Sequence, residues 1–130
     1  MKILSNPLVR TTDQAYKLLK NMKFHEKEIL RCLYLNSRYR LIRNEIISIG
    51  AVDFTIVHPQ EIFRLAIECG AKALILGHNH PSGEITPSRE DLETTKDIVK
   101  IAEMLQIPIL DHLIIGENGY FSLFRAGIIT

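Results

Sequence analysis

Apolar and polar positions in the first third of the chain predict one helix followed by two strands. Thr11 and Gln14 have the spacing of a capping box, and apolar residues then recur at helical intervals, which predicts a short first helix that ends near Asn21. The apolar runs 29–35 and 41–49 are bounded by polar residues and predict two strands. Turn-forming residues separate the two runs, so we expect a hairpin.

The middle of the chain predicts a short strand and an amphipathic helix. The run 55–58 has the character of a strand, which Pro59 would end. A helix is predicted from Gln60 to Cys69, because its apolar residues recur three and four positions apart. Gly70 follows at the position where a helix C-terminus favours glycine.

The last part of the chain predicts three strands and a long helix. The fully apolar run 73–77 is typical of a strand buried on both faces, and a helix is expected from about Ser88 to Leu105. The run 109–115 predicts a strand that a turn at 117–119 connects to a hairpin partner, 120–124. Helices and strands alternate only in part along the chain. We therefore expect an α/β fold with a mixed, mostly antiparallel sheet of roughly six strands, flanked by about three helices.

Composition limits the class of protein further. The 130 residues carry 16 basic and 15 acidic side chains, a net charge of +1, and are 46% hydrophobic. These values are typical of a globular protein, and we expect a single domain over residues 1–130. No apolar run approaches the roughly 20 residues of a membrane helix, and the start of the chain does not match a signal peptide. Cys32 and Cys69 lie in apolar segments, so we expect buried thiols in the cytoplasm.

One segment carries a pattern with specific chemistry. His78 and His80 follow the buried strand predicted at 73–77, and side chains two residues apart on an extended backbone point to the same side. Asp91 lies in the first turn of the next predicted helix, whose start returns toward the end of that strand. Two imidazoles and a carboxylate with an open fourth position form the ligand set of a catalytic zinc site. The same set also suits iron, so the residues leave the metal open.

The same residues have simpler interpretations. Ser88 and Asp91 have capping-box spacing, which by itself would explain why a serine and an acidic residue occur at these two positions. The combination of a strand, a His-x-His-Pro sequence, a Pro- and Gly-containing loop and a helix start favours the metal site. For His58 and His112 we favour structural hydrogen bonding over a role beside that site.

The spacing resembles a known pattern. His-x-His, seven residues, Ser, two residues and Asp is the motif of the JAMM/MPN metallopeptidase superfamily, matched by His78, His80, Ser88 and Asp91. The fuller string His-Asn-His-Pro-Ser-Gly resembles the RadC branch of that superfamily. The resemblance extends from about Thr12 through most of the chain. RadC-like proteins typically also carry an N-terminal helix-hairpin-helix region that these residues do not show, so we expect a stand-alone short member or a fragment cut to the catalytic domain.

The resemblance implies a three-layer sandwich, like that of MPN domains and cytidine deaminases, and a Zn²⁺-activated water. A glutamate outside the histidine loop should take the proton of that water and pass it to the leaving amine. In the superfamily this residue starts the first strand after the first helix, which is Glu28 here. Ser88 should donate a hydrogen bond to the developing oxyanion. Glu45 and Glu61 are the other candidates for the base, and we interpret both as surface charges.

Three functions follow from these expectations. The leading hypothesis is a zinc metallopeptidase or isopeptidase-type hydrolase that acts on an amide bond of a peptide or isopeptide substrate. The second is a DNA-repair factor, as the RadC name suggests, although a net charge of +1 gives little support for DNA binding. The third is a non-catalytic MPN scaffold, against which the intact ligand set argues. We expect no membrane association, and either a monomer or a homodimer.

Overall fold

The computed structural model describes residues 6–50 and 58–129 of the chain. Three α-helices and five strands lie within these residues, and a 3-10 helical turn at Lys20–Phe24 follows the first helix. In chain order the elements are α1 (Thr12–Leu19), β1 (Ile29–Leu35), β2 (Leu41–Ile49), α2 (Pro59–Cys69), β3 (Ala73–Asn79), α3 (Arg89–Leu105), β4 (Ile109–Ile115) and β5 (Tyr120–Ser122).

The strands form one sheet in the order β2-β1-β3-β4-β5. β1 is antiparallel to β2 and to β3, β3 is parallel to β4, and β4 is antiparallel to β5. The predicted mixed, mostly antiparallel sheet is therefore confirmed. The strand predicted at 55–58 lies outside the described residues apart from His58, which directly precedes α2. The last strand is shorter than predicted, because the chain turns after Ser122.

Helices cover both faces of the sheet and enclose two apolar clusters. The cluster around α1 contains residues from β1, β3 and β4, including Leu19, Leu33 and Leu113. The cluster beneath α2 and α3 contains the side chains that point the other way, including Ile62 and Ile98. Because successive side chains of a strand face opposite sides, each central strand supplies both clusters. The result is the three-layer α/β sandwich expected from the sequence.

Local sequence signals determine where the helices begin and end. Thr11 and Gln14 form the predicted capping box at α1. Gly70 follows α2 in the left-handed conformation, with φ of 70°, which glycine adopts without strain. The first helix ends earlier than predicted, at Leu19, because the chain tightens into the 3-10 turn. A Cβ atom on Gly77 would lie 2.6 Å from Leu19 Cδ1, so a larger residue at that position would require the Leu19 side chain to move.

β3 extends further than the apolar pattern predicted. His78 and Asn79 belong to the strand, since they pair with Ile114 and Ile115 of β4. All seven residues of β3 are buried. The expectation that both histidines lie past the strand end is wrong for His78 and correct for His80. Within residues 6–50 and 58–129, no helix combines the length and the apolar character needed to cross a membrane.

Candidate metal centre

Three side chains converge at the end of β3. His78 is the sixth residue of that strand, His80 follows it, and Asp91 lies in the first turn of α3. The two Nε2 atoms of the histidines are 3.0 Å apart. Asp91 places Oδ1 3.2 Å from His78 Nε2 and Oδ2 2.9 Å from His80 Nε2. The structure thus brings together the three residues that the sequence predicted as ligands.

The spacing of these atoms fits a small divalent cation. Ligands about 2.0–2.1 Å from a tetrahedral zinc ion lie about 3.3 Å from one another. The nitrogen and oxygen atoms of this cluster are 2.9 to 3.2 Å apart, which is close to that spacing. One ligand atom from each of Glu28, His78, His80 and Asp91 lies within 4.8 Å of the others. The arrangement could therefore hold a metal ion.

The charge of the cluster comes from Asp91. Burial alone would raise the pKa of this carboxyl group, but hydrogen bonds from His78 and His80 lower it well below its ordinary value. The backbone N–H of Ser88 also donates to Oδ2 at 2.8 Å. Asp91 is therefore ionised although it is only 2% exposed. Its hydrogen bond in turn raises the pKa of His80, against the effect of that side chain's own partial burial.

The loop after β3 determines the orientation of His80. The backbone N–H of His80 donates to the carbonyl of Ile115, and its Nδ1 lies 3.0 Å from the carbonyl oxygen of Glu84. A carbonyl only accepts, so Nδ1 carries the hydrogen and Nε2 is left to face the cluster. The loop is packed tightly against the turn between β4 and β5, where a Cβ atom on Gly116 would lie 2.5 Å from the carbonyl oxygen of Gly83.

Glu28 is the glutamate that approaches the cluster. Its Oε1 atom is 3.7 Å from His80 Nε2, and its side chain is one-quarter exposed. Glu61 instead forms an ion pair with Arg64 on the surface of α2, at 2.8 Å. Glu45 lies on β2, opposite Cys32 of β1. The described part of the chain therefore places Glu28 beside the candidate ligands, as expected, and leaves Glu45 and Glu61 outside the cluster.

Asn79 connects the segment that carries Glu28 to the strand that carries His78. The Asn79 side chain points away from the two histidines and is 1% exposed. Its Oδ1 accepts from the backbone N–H of Ile29 at 2.7 Å, and its Nδ2 donates to the carbonyl of Lys27 at 3.0 Å. The backbone on both sides of Glu28 is thus bound to β3. This role of Asn79 was not predicted from the sequence, although a polar side chain between two candidate ligands was a possible signal.

Ser88 caps α3. Its Oγ atom accepts from the N–H of Asp91 at 3.0 Å, and the Asp91 carboxylate accepts from the N–H of Ser88, which completes the capping box. Both interpretations of Asp91 from the sequence therefore hold together, since the same carboxylate caps the helix and faces the two histidines. The hydroxyl hydrogen of Ser88 is not needed for the cap and can be donated elsewhere.

His112 contacts a candidate ligand from the protein interior. Its Nε2 atom lies 2.6 Å from His78 Nδ1, and its own Nδ1 lies 2.6 Å from the hydroxyl of Thr95. Burial, together with the nearby His78, holds the pKa of His112 well below its ordinary value. His112 is thus hydrogen-bonded in the core, as favoured from the sequence, but its partner is a residue of the cluster. His58 lies exposed at the start of α2.

A cleft of about 450 Å³ opens beside the cluster. His80 forms part of its wall, so a molecule in the cleft would lie next to the candidate ligands. The other residues that line it are Lys23, Phe24, Pro81, Ser82, Gly83, Glu117 and Asn118.

The fold and the cluster together define a three-layer α/β domain with a candidate metal centre. A family model described as a RadC-like JAB domain matches residues 9–128, which is most of the chain. The chain belongs to this family, and the resemblance inferred from its histidine motif is confirmed.

Proteins of several bacteria are similar to this chain. A UPF0758 protein of Caldanaerobacter subterraneus subsp. tengcongensis is 46% identical over 110 residues, which are 85% of this chain and 47% of that protein. UPF0758 proteins of Bacillus cereus (strain G9842) and Bacillus mycoides (strain KBAB4) are each 42% identical over 115 residues, 88% of this chain and 51% of theirs. The chain spans about half the length of the curated relatives it matches.

Proposed function

We propose that this chain is a zinc-dependent hydrolase that cleaves an amide bond in a peptide or isopeptide substrate. The observation that carries the proposal is the convergence of His78, His80 and Asp91 with Glu28 at their side. A structural metal site normally uses four protein ligands, whereas a catalytic zinc keeps three and an open position. Membership of the RadC-like JAB domain family supports the same assignment.

The ligand set favours zinc over the other candidates. Two imidazole nitrogens and one carboxylate oxygen are a common ligand set of catalytic zinc, and their motif resembles that of a zinc metallopeptidase superfamily. A zinc ion held there would supply a Lewis acid and lower the pKa of a water molecule toward 7. Asp91 contributes the one negative charge among the three ligands.

Glu28 and Ser88 have separate roles in the proposed reaction. Glu28 lies close enough to accept a proton from an attacking water beside His80, and its partial exposure lets it deliver that proton to a leaving amine. The Ser88 hydroxyl, at the start of α3, donates its free hydrogen to the oxygen that gains charge when the carbonyl is attacked.

The proposal includes the compartment and the extent of the activity. We place the reaction in the cytoplasm, because Cys32 and Cys69 are both free thiols. The chain covers about half of its relatives, so the activity proposed is that of this domain, and the substrate of a longer protein would depend on the remaining half as well.

Metal content tests the proposal first. The purified chain, after exposure to zinc and removal of excess metal, should hold about one zinc ion per chain by elemental analysis. His78→Ala and Asp91→Asn should lose it, while His58→Ala, a histidine substitution on the exposed start of α2, should keep it. A wild-type chain that retains no zinc after this treatment would contradict the proposal.

Hydrolysis tests the second part. Screening peptide and isopeptide libraries with the zinc-loaded chain should show cleavage, and Glu28→Gln should retain zinc while losing about 10²–10⁴-fold in rate. Glu61→Gln is the matched control, because Glu61 pairs with Arg64 outside the cluster. Equal rates for Glu28→Gln and wild type would show that Glu28 is not the base. DNA binding that weakens steeply with salt, without any hydrolysis, would favour the DNA-repair alternative instead.

A further inference from the structure

One buried imidazole contacts the candidate centre without a role in the proposed reaction. His112 lies in the middle of β4 and is 1% exposed. Its Nε2 and Nδ1 atoms are each 2.6 Å from a polar atom, His78 Nδ1 on one side and Thr95 Oγ1 on the other. Both ring nitrogens are thus engaged, and the side chain spans the space between a candidate ligand and α3.

The hydrogen positions in this chain of contacts follow from the side of His78 that faces the cluster. His78 Nε2 faces Asp91 and His80, so it is the nitrogen available to a metal. When Nε2 holds a metal it carries no hydrogen, so the hydrogen of His78 would then be on Nδ1, which donates to His112 Nε2. His112 then carries its own hydrogen on Nδ1 and donates it to Thr95.

We propose that His112 is the positioning residue of the metal centre, fixing the tautomer and the ring orientation of His78, with Thr95 fixing His112 in turn. The inference rests on the proposed metal site. A metal-binding histidine usually donates its second N–H to a carboxylate, a backbone carbonyl or water, and loss of that partner typically costs 10–100-fold in metal affinity. Here the acceptor is the imidazole of another strand.

The neighbouring carboxylate does not take this role. Asp111 is buried next to His112, but its side chain points to the other face of the sheet, where it accepts from Thr12 and Ser122. Adjacent strand residues face opposite sides, so Asp111 cannot reach His78. Within the described part of the chain, His112 is the side chain bonded to His78 Nδ1.

The two supporting residues come from β4, the neighbour of the strand that carries His78, and from α3, which carries Asp91. His112 is the pairing partner of Leu76 in the parallel β3–β4 register, two residues before His78 and on the same face. Thr95 lies one helical turn after Asp91 on α3, and both are buried. His78 is therefore enclosed between strand β4 and helix α3.

Two substitutions of His112 distinguish the effect of losing the contact with His78 from the effect of replacing histidine by another polar side chain. The amide group of glutamine reaches the position of imidazole Nε2, and that of asparagine reaches the position of Nδ1. His112→Gln can therefore still accept from His78, whereas His112→Asn retains only the contact with Thr95. We expect zinc affinity, measured by chelator competition on the whole chain, to fall about 10–100-fold in His112→Asn and less than tenfold in His112→Gln.

Ring-nitrogen NMR of the zinc-loaded wild type gives a second readout. His78 should appear with its hydrogen on Nδ1. In His112→Asn, the chemical shift of that N–H group should show that its strong hydrogen bond is lost. Thermal unfolding of the metal-free variants controls for folding, since a merely structural role would lower both melting temperatures without separating the zinc affinities.

Equal zinc affinities for His112→Asn and wild type, or an equal loss in both variants, would overturn the inference while leaving the zinc site intact. A wild-type chain that binds no zinc would overturn this inference and the proposed function together.

Discussion

Substituting Asn79 by alanine should destabilise the domain more than an ordinary loss of hydrogen bonds. The side chain makes two strong bonds, from Ile29 N–H at 2.7 Å and to the carbonyl of Lys27 at 3.0 Å, and a longer one to the carbonyl of His25 at 3.4 Å. Removing it leaves the buried Ile29 N–H without its partner. Each lost bond costs about 0.5–1.5 kcal/mol, and an unpaired buried donor about 1–3 kcal/mol, so we expect the free energy of unfolding to fall by about 2–4 kcal/mol.

Two measurements test this expectation. Urea denaturation gives the loss of stability, and a domain of this size should melt about 4 °C lower for each kcal/mol. Amide hydrogen exchange of Ile29 reports the local effect, because its N–H is the donor that loses Asn79. Exchange there should accelerate by more than the global loss of stability requires, as the segment that carries Glu28 detaches from β3.

The matched control is Asn44→Ala. Asn44, on β2, accepts one hydrogen bond of 3.2 Å from Arg31 at a half-buried position, so its loss should cost no more than about 1 kcal/mol. A loss of stability in Asn79→Ala no larger than that in Asn44→Ala, or unchanged exchange of the Ile29 amide, would refute the prediction.

Three further predictions concern other parts of the fold. Gly116→Ala should lower stability by about 1–3 kcal/mol and weaken zinc binding, because its Cβ would lie 2.5 Å from a backbone oxygen of the loop that carries His80; thermal unfolding and chelator competition measure both. Tyr34→Phe should cost about 1 kcal/mol in urea denaturation, because its hydroxyl donates to a buried carbonyl at 2.8 Å. Burial raises the pKa of Cys32 strongly, so alkylation of the folded chain at pH 8 should label Cys69 first, as mass spectrometry would show.

Local sequence patterns predicted most elements of this fold. The bounds of β1, β2 and β4 match the apolar runs, and the caps of α1 and α3 match their capping boxes. These signals are contacts between residues a few positions apart, which a single sequence displays directly. The end of β3 was missed, because polar side chains follow its apolar run and are kept in the strand by pairing with its neighbours β1 and β4.

The residues of the candidate site were likewise predicted only in part. The motif spacing identified His78, His80 and Asp91, since one strand end and the next helix start supply all three. Asn79 and His112 contact partners 17 to 54 residues away. No local pattern records such contacts, because they depend on which strands become neighbours in the sheet.

Side chains that point to opposite sides at the end of β3 have different roles. His78 and His80 face the candidate metal, whereas Asn79, between them, holds the segment that precedes β1. A descendant of this chain that exchanged both histidines for other residues would lose the candidate metal site and still keep that segment in place. Two changes on one side of this extended segment would thus remove the candidate metal site and leave the fold unchanged.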